Sequence, residues 1–338
     1  MGRVVLVTGV SRDLGGRFAR LIAEEPSVER VIGVDVVPPR ADLGPVGFVR
    51  ADIRNPVIAK VIAGQEVDTV VHLSVQANPG PTGGRTSMKE HNVIGTMQLL
   101  AACQKAPGLE RLVVRSSTAV YGSSSRDPAM FTEDMAAKRL PRSGYAKDVL
   151  EVEGYVRGFA RRRPDVSVTM LRAANLVGPH ATSPLTQYFR LPVVPTVLGY
   201  DARLQFLHET DLIAALRHAT TDGVHGTFNV AGSGILMLSQ ALRRLGRPTV
   251  SVPSFALGGL GGVLKQAGLG AVAQELSGFL TFGRGVDTSR GRDVLGFVPD
   301  YSTPDAFADL ARTISPGFVP SARTAAALLA PQSGSEHA

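Results

Sequence analysis

A glycine-containing turn near the start of the chain has the composition of an anion site. It reads Thr8-Gly9-Val10-Ser11-Arg12-Asp13-Leu14-Gly15-Gly16 and lies between an apolar run and a helical pattern. Glycines let the backbone approach a diphosphate at a helix N-terminus, where free N–H groups and the helix dipole favour negative charge. Asp35 ends the second apolar run, about 20 residues beyond the turn, where a carboxylate can bind ribose hydroxyls and repel a 2′-phosphate. The pattern therefore predicts a dinucleotide site that prefers NAD to NADP.

Alternating apolar runs and helical patterns predict the elements that position this turn. The predicted strands are rich in β-branched residues and have the length of buried strands: Val4–Thr8, Val31–Asp35, Gly47–Arg50, Val67–Leu73, Leu112–Ser116 and Val166–Leu171. The predicted helices have apolar positions that recur at three and four: Leu14–Glu24, Pro56–Ala63, Met88–Lys105 and Ala146–Arg162. This repeated βα order predicts an α/β fold, a Rossmann-type doubly wound parallel sheet with helices on both faces.

The regular pattern fades after Gly178, where prolines and long loops become frequent. A length of 338 residues favours about two domains. We predict a dinucleotide-binding domain over residues 1–178 plus 204–231, and a smaller discontinuous substrate-binding domain over 179–203 plus 232–320. Residues 321–338 are rich in Ala and Ser without a period, which predicts a disordered tail.

Charge and composition narrow the classes of partner. Lys and Arg number 36 against 29 Asp and Glu, a net charge of +7 that favours anionic ligands such as phosphates. Aromatic residues are 6% with no tryptophan, too few for a single-strand nucleic-acid platform, so no nucleic-acid partner is expected. A lone cysteine, Cys103, excludes an internal disulfide and a thiolate metal cluster. The seven histidines show no ligand spacing with carboxylates, so no metal site is predicted.

No export signal or membrane span is expected. The N-terminal apolar run, Val4–Thr8, is far too short for a secretory signal. The uncharged stretch Pro248–Leu264 is short for a bilayer, and Pro253 and several glycines interrupt it. We therefore expect a cytoplasmic protein.

Several further motifs follow the glycine turn in a fixed order. They are Ala51-Asp52-Ile53-Arg54, Val71-His72-Leu73-Ser74, Asn92-Val93-Ile94-Gly95-Thr96, Ser116-Ser117-Thr118-Ala119-Val120-Tyr121-Gly122, Leu171-Arg172-Ala173-Ala174-Asn175-Leu176-Val177-Gly178-Pro179, Phe206-Leu207-His208 and Asp287-Thr288-Ser289. With the turn, they resemble the extended short-chain dehydrogenases/reductases of the NAD-dependent epimerase/dehydratase group, such as the UDP-glucose 4-epimerases. The similarity runs from Val4 to about Pro299.

The resemblance implies NAD as the cofactor and assigns residues to it. Asp52 and Ile53 would cap the adenine, Leu73 and Ser74 would line the dinucleotide groove, and Asn92 would support the site from its helix. Strand ends of this kind meet at the topological switch point of an open parallel sheet, where a dinucleotide lies. The implied cofactor-binding residues are Gly9, Ser11, Arg12, Leu14, Gly15, Asp35, Asp52, Ile53, Leu73, Ser74, Asn92, Ser116, Lys147 and Ala174.

The chain departs from the family pattern at Arg12, which replaces the middle glycine of the turn. The guanidinium either pairs with the diphosphate or points to solvent. An arginine in this turn can also reach a 2′-phosphate, so NADP stays open beside NAD.

The catalytic Tyr-x-x-x-Lys pair of the family is altered. In the family the tyrosine exchanges the hydroxyl proton, the lysine lowers its pKa and holds the ribose, and a serine, here Ser117, positions the substrate oxygen. Lys147 has the expected surroundings, but Ser143 stands four residues before it and Tyr145 only two. That spacing puts Tyr145 roughly on the opposite helix face from Lys147.

Two interpretations of this motif are open. Either the helix begins late and Tyr145 reaches the site from a flexible entry segment, or the proton-transfer machinery is missing. Helical geometry favours the second interpretation, in which Ser117 and Lys147 still bind ribose or substrate hydroxyls. The candidate catalytic residues are Ser117, Lys147, Tyr145 and Ser143.

The substrate side also departs from the family. In the family an arginine before Asp-aromatic-x-His holds a nucleotide diphosphate, whereas this chain has Leu204 there and an arginine only at Arg203. Two further arginines near Asp287 are out of register, and the family's asparagine keeps its place. The candidate residues for a nucleotide-diphosphate sugar are Asn175, Arg203, Arg290 and Arg292.

Three functions fit these residues. The first is an NAD-dependent sugar-nucleotide epimerase or dehydratase that acts by hydride transfer to and from bound NAD. The second is a catalytically impaired NAD-binding protein that senses the cofactor or a partner. The third is a 3β-hydroxysteroid-type oxidoreductase with the apolar segment Pro253–Phe282 as a lid. The resemblance further implies a homodimer through the helices Met88–Lys105 and Ala146–Arg162.

Overall fold

The central sheet is parallel throughout. The computed structural model describes residues 2–77, 84–141, 144–253 and 273–315. The strands are β1 (Arg3–Thr8), β2 (Val28–Asp35), β3 (Gly47–Arg50), β4 (Thr69–His72), β5 (Arg111–Ser117), β6 (Ser167–Ala173), β7 (Asn175–Val177), β8 (Val194–Val197), β9 (Arg203–Leu204), β10 (Phe206–His208), β11 (Gly226–Val230), β12 (Leu236–Met237) and β13 (Thr249–Val252). A 7-stranded sheet has the order β11-β6-β5-β4-β1-β2-β3, with every neighbouring pair parallel. This confirms the predicted Rossmann-type α/β fold.

Buried β-branched residues explain the centre of the sheet. Val5 and Val7 of β1 and Val70 and Val71 of β4 are inaccessible to solvent, as expected for parallel strands that helices cover on both faces. The strand order reverses between β1 and β4. The carboxyl ends of these two strands therefore border the topological switch point, where open α/β sheets bind their ligands.

Helices pack on both faces of this sheet. They are α1 (Asp13–Ala23), α2 (Val57–Gly64), α3 (Gly84–Lys89), α4 (Gly95–Gln104), α5 (Gly144–Arg162), α6 (Pro184–Phe189), α7 (Glu209–Asp222), α8 (Leu238–Leu245), α9 (Ala273–Phe282), α10 (Ser289–Asp293) and α11 (Thr303–Arg312). A π-helical turn, Glu90–Ile94, joins α3 to α4. The helix predicted over Met88–Lys105 thus begins earlier, at Gly84, and contains a π turn that the periodicity did not indicate.

Alternate residues of β5 face different helical layers. The Arg111 guanidinium donates to the carbonyls of Thr220 and Thr221 in α7, at 2.8 and 2.5 Å. The Ser116 hydroxyl donates to Glu153 in α5, at 2.6 Å. Because side chains alternate along a strand, Arg115 and Ser117 share the α7 face with Arg111.

A buried chain of hydrogen bonds ties β1, β4 and α4 together. His72 Nδ1 lies 2.8 Å from Thr8 Oγ1, and His72 Nε2 lies 2.9 Å from Thr96 Oγ1. The Thr96 hydroxyl donates to the Asn92 carbonyl at 2.6 Å, so it accepts from Nε2–H and leaves Nδ1 to accept from Thr8. Burial lowers the pKa of His72 to about 3, so the imidazole is neutral.

Two hydrophobic clusters underlie the fold. The first surrounds the parallel sheet. The second lies outside it and includes Phe206 and Phe307, whose rings stack with centroids 5.7 Å apart. Val286, Leu295 and Phe297 belong to the first cluster, so the chain returns to the sheet within the predicted substrate-binding part. Conversely, Val177, Leu204 and Phe206, from the predicted dinucleotide-binding part, belong to the second cluster. We propose that the predicted domains correspond to the two clusters apart from these exchanges.

In the described ranges, each helix is too short or too polar to cross a membrane. Most of Pro248–Leu264, the predicted tail 321–338 and Ser143 lie outside the described residues.

Candidate functional site

The glycines of the turn after β1 lie where the backbone packs too closely for a side chain. Gly9 has a φ of +85°, and a Cβ there would come within 3.1 Å of the Ser74 backbone. A Cβ at Gly15 would lie 2.2 Å from the Gly9 carbonyl oxygen. Arg12 is the N-cap residue of α1, and its side chain makes no capping hydrogen bond. The first N–H groups of α1 therefore point into the crevice, where they suit an anion.

Asp35 closes this turn from the end of β2. Its carboxylate accepts hydrogen bonds from the backbone N–H groups of Ser11, at 3.1 Å, and Val36, at 2.8 Å. The Ser11 hydroxyl donates to the Val37 carbonyl. A carboxylate has further lone pairs for the two hydroxyls of a ribose. The turn, its glycines and Asp35 together fit the adenosine end of a dinucleotide.

Asp52 and Ile53 follow β3 on the same edge of the sheet. The Arg54 guanidinium donates to Asp52 at 2.6 Å, and this bond lowers the pKa of the Asp52 carboxyl. Ile53 is buried and packs against Gly95, where a Cβ would lie 2.9 Å from the Ile53 side chain. Asp52 is therefore held as a carboxylate beside the crevice.

Asn92 fixes the loop that follows β4. Its Oδ1 accepts from the Gln76 N–H at 2.8 Å, and its Nδ2 donates to the Gln76 carbonyl at 2.9 Å. Leu73 and Ser74, at the start of this loop, are buried, and the Leu73 N–H donates to Thr8 Oγ1 at 3.1 Å. The loop thus has a defined backbone next to the glycine turn.

The two serines at the end of β5 face opposite ways. The hydroxyl of Ser116 is buried and donates to Glu153, which Arg172 also contacts through bonds of 2.9 and 2.8 Å. Ser116 therefore faces α5, and its contact with the cofactor stays a prediction. Ser117 lines the cavity described below.

Helix α5 places Tyr145 and Lys147 on different sides. The helix begins at Gly144, so Tyr145 lies in its first turn rather than in a late entry segment. Tyr145 lines the cavity with Ser117. Lys147 is half-buried, and its Nζ lies 3.8 Å from Glu151. Its contact with a ribose stays a prediction.

The residue four positions after Tyr145, and so on its face of the helix, is Val149, which is 0% exposed. Tyr145 therefore has a valine at the spacing at which the family pair has its lysine. The assignment of the family's lysine position to Lys147 stays a prediction.

A cavity of about 420 Å³ lies at this edge of the sheet. Its polar wall includes Ser117, Tyr145 and Asn175. Its apolar lining includes Leu276, Phe279 and Phe282 of α9. An apolar pocket with a few convergent polar groups is typical of small-molecule sites.

None of the three predicted substrate arginines lines this cavity. Arg203 donates to the carbonyls of Ala129, at 3.2 Å, and Pro128, at 3.4 Å. Arg290 lies over the Phe228 ring, 5.5 Å from its centroid, and Arg292 pairs with Asp293 at 2.9 Å. Each is held elsewhere, which corrects the sequence prediction.

Two other arginines, Arg139 and Arg284, line the cavity instead. Arg284 Nε donates to the Gly122 carbonyl at 2.8 Å, and another of its nitrogens lies 3.2 Å from Ser123 Oγ. The sequence analysis selected neither arginine. Arg284 lies only three residues before the Asp287 motif, which is a signal for the region, but its contact with the Gly122 carbonyl depends on the tertiary structure.

Two further predicted cofactor-binding residues, Ala174 and Leu14, lie in regular secondary structure or beside it. Ala174 is buried, and its N–H donates to the Val230 carbonyl at 2.9 Å. Leu14 is half-buried in the first turn of α1. Within the described ranges, no cluster of three His, Cys, Asp or Glu residues could hold a metal ion.

Comparison with known proteins identifies the sequence family. The model described as "NAD dependent epimerase/dehydratase family" matches residues 5–231. Uncharacterized protein Rv0501 of Mycobacterium tuberculosis is 49% identical over 314 residues, which are 92% of this chain and 84% of that protein. UDP-glucose 4-epimerase 2 of Oryza sativa is 34% identical over 137 residues, 40% of this chain and 32% of that enzyme.

The fold is similar to that of solved enzymes. DesIV, a dTDP-glucose 4,6-dehydratase from Streptomyces venezuelae crystallised with NAD and TYD bound, superposes with a TM-score of 0.69 at 24% identity. The match covers 92% of this chain and 96% of DesIV. At this identity the likeness shows the shared fold.

Proposed function

The chain belongs to the NAD-dependent epimerase/dehydratase family, and we propose that it is an NAD-dependent enzyme that oxidises a hydroxyl-bearing carbon of a sugar nucleotide. One observation carries this proposal: Ser117 and Tyr145 line a single cavity at the carboxyl edge of the sheet. That edge also carries the glycine turn and Asp35. The proton-transfer groups and the dinucleotide crevice are therefore neighbours.

The side chains in the cavity have distinct tasks. Ser117 donates a hydrogen bond to the substrate oxygen, and the Tyr145 phenolate takes the proton from the hydroxyl. Asn175 offers an amide to a neighbouring hydroxyl of the sugar. Bound NAD supplies the chemistry of a hydride acceptor. Return of the hydride to the opposite face of the oxidised carbon would give an epimerisation, whereas elimination of water from the keto sugar before the hydride returns would give a dehydration.

The arginines of the cavity support an anionic substrate. Arg139 and Arg284 both line it, and guanidinium groups bind diphosphates through paired hydrogen bonds. DesIV and the rice UDP-glucose 4-epimerase are named for sugar-nucleotide substrates, which supports the same class here. We propose Arg139 and Arg284 as the diphosphate contacts in place of the arginines predicted from the sequence.

One observation favours a second candidate, an oxidoreductase for a bulky apolar alcohol. Leu276, Phe279 and Phe282 give the cavity that Tyr145 lines an apolar surface. A sugar would place polar hydroxyls against these apolar side chains, whereas a steroid-like alcohol would place apolar groups against them. Thermal protection of NAD-loaded protein distinguishes the two: UDP or dTDP protects in the first case, and an apolar alcohol protects in the second.

A single-turnover spectrum tests the proposed reaction. NAD-loaded protein is mixed with a panel of UDP- and dTDP-sugars, and the absorbance of reduced nicotinamide is followed. A transient rise is expected with at least one sugar nucleotide. Silence with every sugar, while NAD binding is confirmed by calorimetry, would contradict the proposal and favour an NAD-binding protein without turnover.

The variants Tyr145→Phe and Ser117→Ala test the residues. Each is expected to reduce the transient rate by roughly 10²-fold or more, since a positioned acid–base group contributes about that much. Tyr155→Phe is the matched control, because Tyr155 lies on the same helix and is 40% exposed on its outer surface. Equal loss in Tyr155→Phe would show that the loss reflects damage to the helix instead.

We also propose that two copies pair through the face formed by α4 and α5. A shallow depression there is lined by Met97, Leu100 and Tyr155, among others. The family resemblance implies pairing through these two helices, and the partly exposed apolar side chains support it.

A further inference from the structure

Arg115 occupies an unusual place for a charged side chain. It lies in β5, two residues before Ser117, and is half-buried. It shares the α7 face of the sheet with Arg111 and Ser117, since its neighbour Ser116 faces α5. Val114 pairs with His72 of β4, so Arg115 lies beside Leu73, at the start of the loop next to the glycine turn.

Arg115 has no counter-ion within the described part of the chain. It forms no hydrogen bond and no ion pair there, unlike Arg172 and Arg85, which both hold buried carboxylates. Withdrawing a guanidinium from water without an anionic partner is unfavourable. A half-buried arginine without such a partner is suited to an anion that arrives from outside.

A second arginine lies close to the first. A Cβ at Gly9 would lie 3.1 Å from the Ser74 backbone, so the turn that carries Arg12 adjoins the loop that lies beside Arg115. Among the described residues, the Arg12 side chain also has no hydrogen-bond partner. Desolvation lowers the pKa of Arg12, the charge of Arg115 lowers it further, and Asp35 acts in the opposite direction. The two guanidiniums thus repel each other across the crevice.

We infer that Arg12 and Arg115 form a two-arginine site for a diphosphate, the diphosphate of the dinucleotide. Arg12 approaches it from the turn before α1, and Arg115 approaches it from β5. A dianion placed between two like charges removes their repulsion and offers each guanidinium a bidentate partner. The inference deepens the proposed function, because it rests on NAD as the cofactor and adds a strand residue to the groups that hold it.

Calorimetry on the full chain tests this site. NAD is titrated into wild type, Arg12→Met, Arg115→Met and the double variant, with adenosine as an uncharged probe of the neighbouring pocket. Each single variant is expected to weaken NAD binding roughly tenfold or more, as for loss of a charge-assisted hydrogen bond. Adenosine affinity should change less than about twofold, and the loss should shrink at high salt because ions screen the attraction.

Arg161→Met is the control variant. Arg161 is exposed near the end of α5, so its removal changes the net charge by the same amount without touching the crevice. NAD binding in Arg115→Met that equals binding in Arg161→Met would overturn the inference and leave the proposed function intact. A structural role for Arg115 predicts a lower melting temperature for Arg115→Met without ligand. A binding role predicts an equal or higher one, since repulsion is relieved.

Inorganic pyrophosphate distinguishes failure of the cofactor assignment from failure of the two-arginine site. If wild type binds no NAD but pyrophosphate raises its melting temperature more than that of Arg115→Met, the proposed cofactor is wrong and the two-arginine diphosphate site stands. If neither NAD nor pyrophosphate protects wild type, both the site and the cofactor assignment are overturned.

Discussion

Val149 lies on the same face of α5 as the candidate acid–base residue Tyr145. It stands four residues after Tyr145, the spacing that separates the tyrosine and the lysine of the family pair, and it is completely buried. A lysine there stabilises the phenolate through its charge, and valine carries none. We predict that Val149→Lys shifts the rise of the single-turnover rate with pH toward lower pH, by about one pH unit, as a nearby opposite charge does.

Val149→Met is the control for that substitution. Methionine has a similar length and no charge, so it reproduces the steric change alone. Equal pH profiles for Val149→Lys and Val149→Met, measured by stopped-flow absorbance, would show that the position does not act on the tyrosine electrostatically.

Gly15 makes a prediction about the cofactor turn. A Cβ there would meet the Gly9 carbonyl at 2.2 Å, whereas a Cβ at Gly64, the last residue of α2, would meet nothing within 4 Å. We expect Gly15→Ala to destabilise the fold by roughly 2 kcal/mol or more, since backbone must move. Gly64→Ala should stabilise it by up to about 1 kcal/mol. Urea denaturation measures both, and the same sign for both would contradict the steric account.

The sequence predicted site residues whose position follows from the local order of strands, turns and helices. It missed residues whose side chains reach the site from a distant segment of the chain. Gly9, Gly15 and Asp35 follow from a strand, a turn and a helix in order. Arg284 could not be predicted, because its contact with the Gly122 carbonyl joins segments 162 residues apart. Lys147 and Tyr145 were both identified, but choosing between two faces of one helix needed the tertiary structure.

At the scale of elements, His72 links the two central strands to α4 and makes stability depend on pH. Its folded pKa is about 3, against 6.5 for a free imidazole. As pH falls below 6.5 the unfolded chain takes up a proton that the folded chain refuses, so the free energy of unfolding decreases until about pH 3. Between about pH 7.5 and pH 5 the loss from this group is about 2 kcal/mol.

His72→Gln is the variant that isolates this effect. An amide can accept from Thr8 and donate to Thr96 but does not titrate. The variant should therefore show a flatter dependence of unfolding free energy on pH, measured in urea at both pH values. A slope equal to that of wild type would mean that other groups set the acid sensitivity.

Glu153 joins β5, β6 and α5 through one carboxylate. It is 1% exposed in its side chain and lies 2.8 Å from Arg172. Glu153→Gln leaves Arg172 buried without its anion, which should cost about 3–5 kcal/mol. Arg157 also touches Glu153, at 2.9 Å, but is half exposed, so Arg157→Ala should cost less than about 1 kcal/mol. Comparable losses in thermal denaturation would refute this account.

The elements themselves were largely predictable. The apolar runs predicted six of the seven strands of the sheet to within a few residues, and five of these are apolar because helices cover them on both faces. The edge strand β11 was not predicted. The π turn at Glu90–Ile94 was not predictable, since one additional residue per turn barely changes a helical pattern. Its position is set by Asn92, which bonds the Gln76 backbone.

At the scale of the whole molecule, the α4/α5 face makes the proposed pairing testable. Ala101 is exposed in α4 and lines the depression on that face. Ala101→Arg should convert a dimer to a monomer, because a charge buried in an apolar contact is unfavourable. Light scattering after gel filtration measures the mass. Ala136→Arg, on an exposed loop, should leave it unchanged, and a monomeric wild type would refute the pairing.

The residues that line the cavity come from parts of the chain with different structural roles. Ser117 and Tyr145 come from the sheet and its covering helix, whereas other lining residues come from α9, from α6 at Leu185 and from the loop at Leu140. After a gene duplication, mutations in those other segments could alter which molecule is accepted without disturbing the strand and helix that hold the proton-transfer groups. Paralogues with unrelated substrates could therefore arise by few steps from this one scaffold.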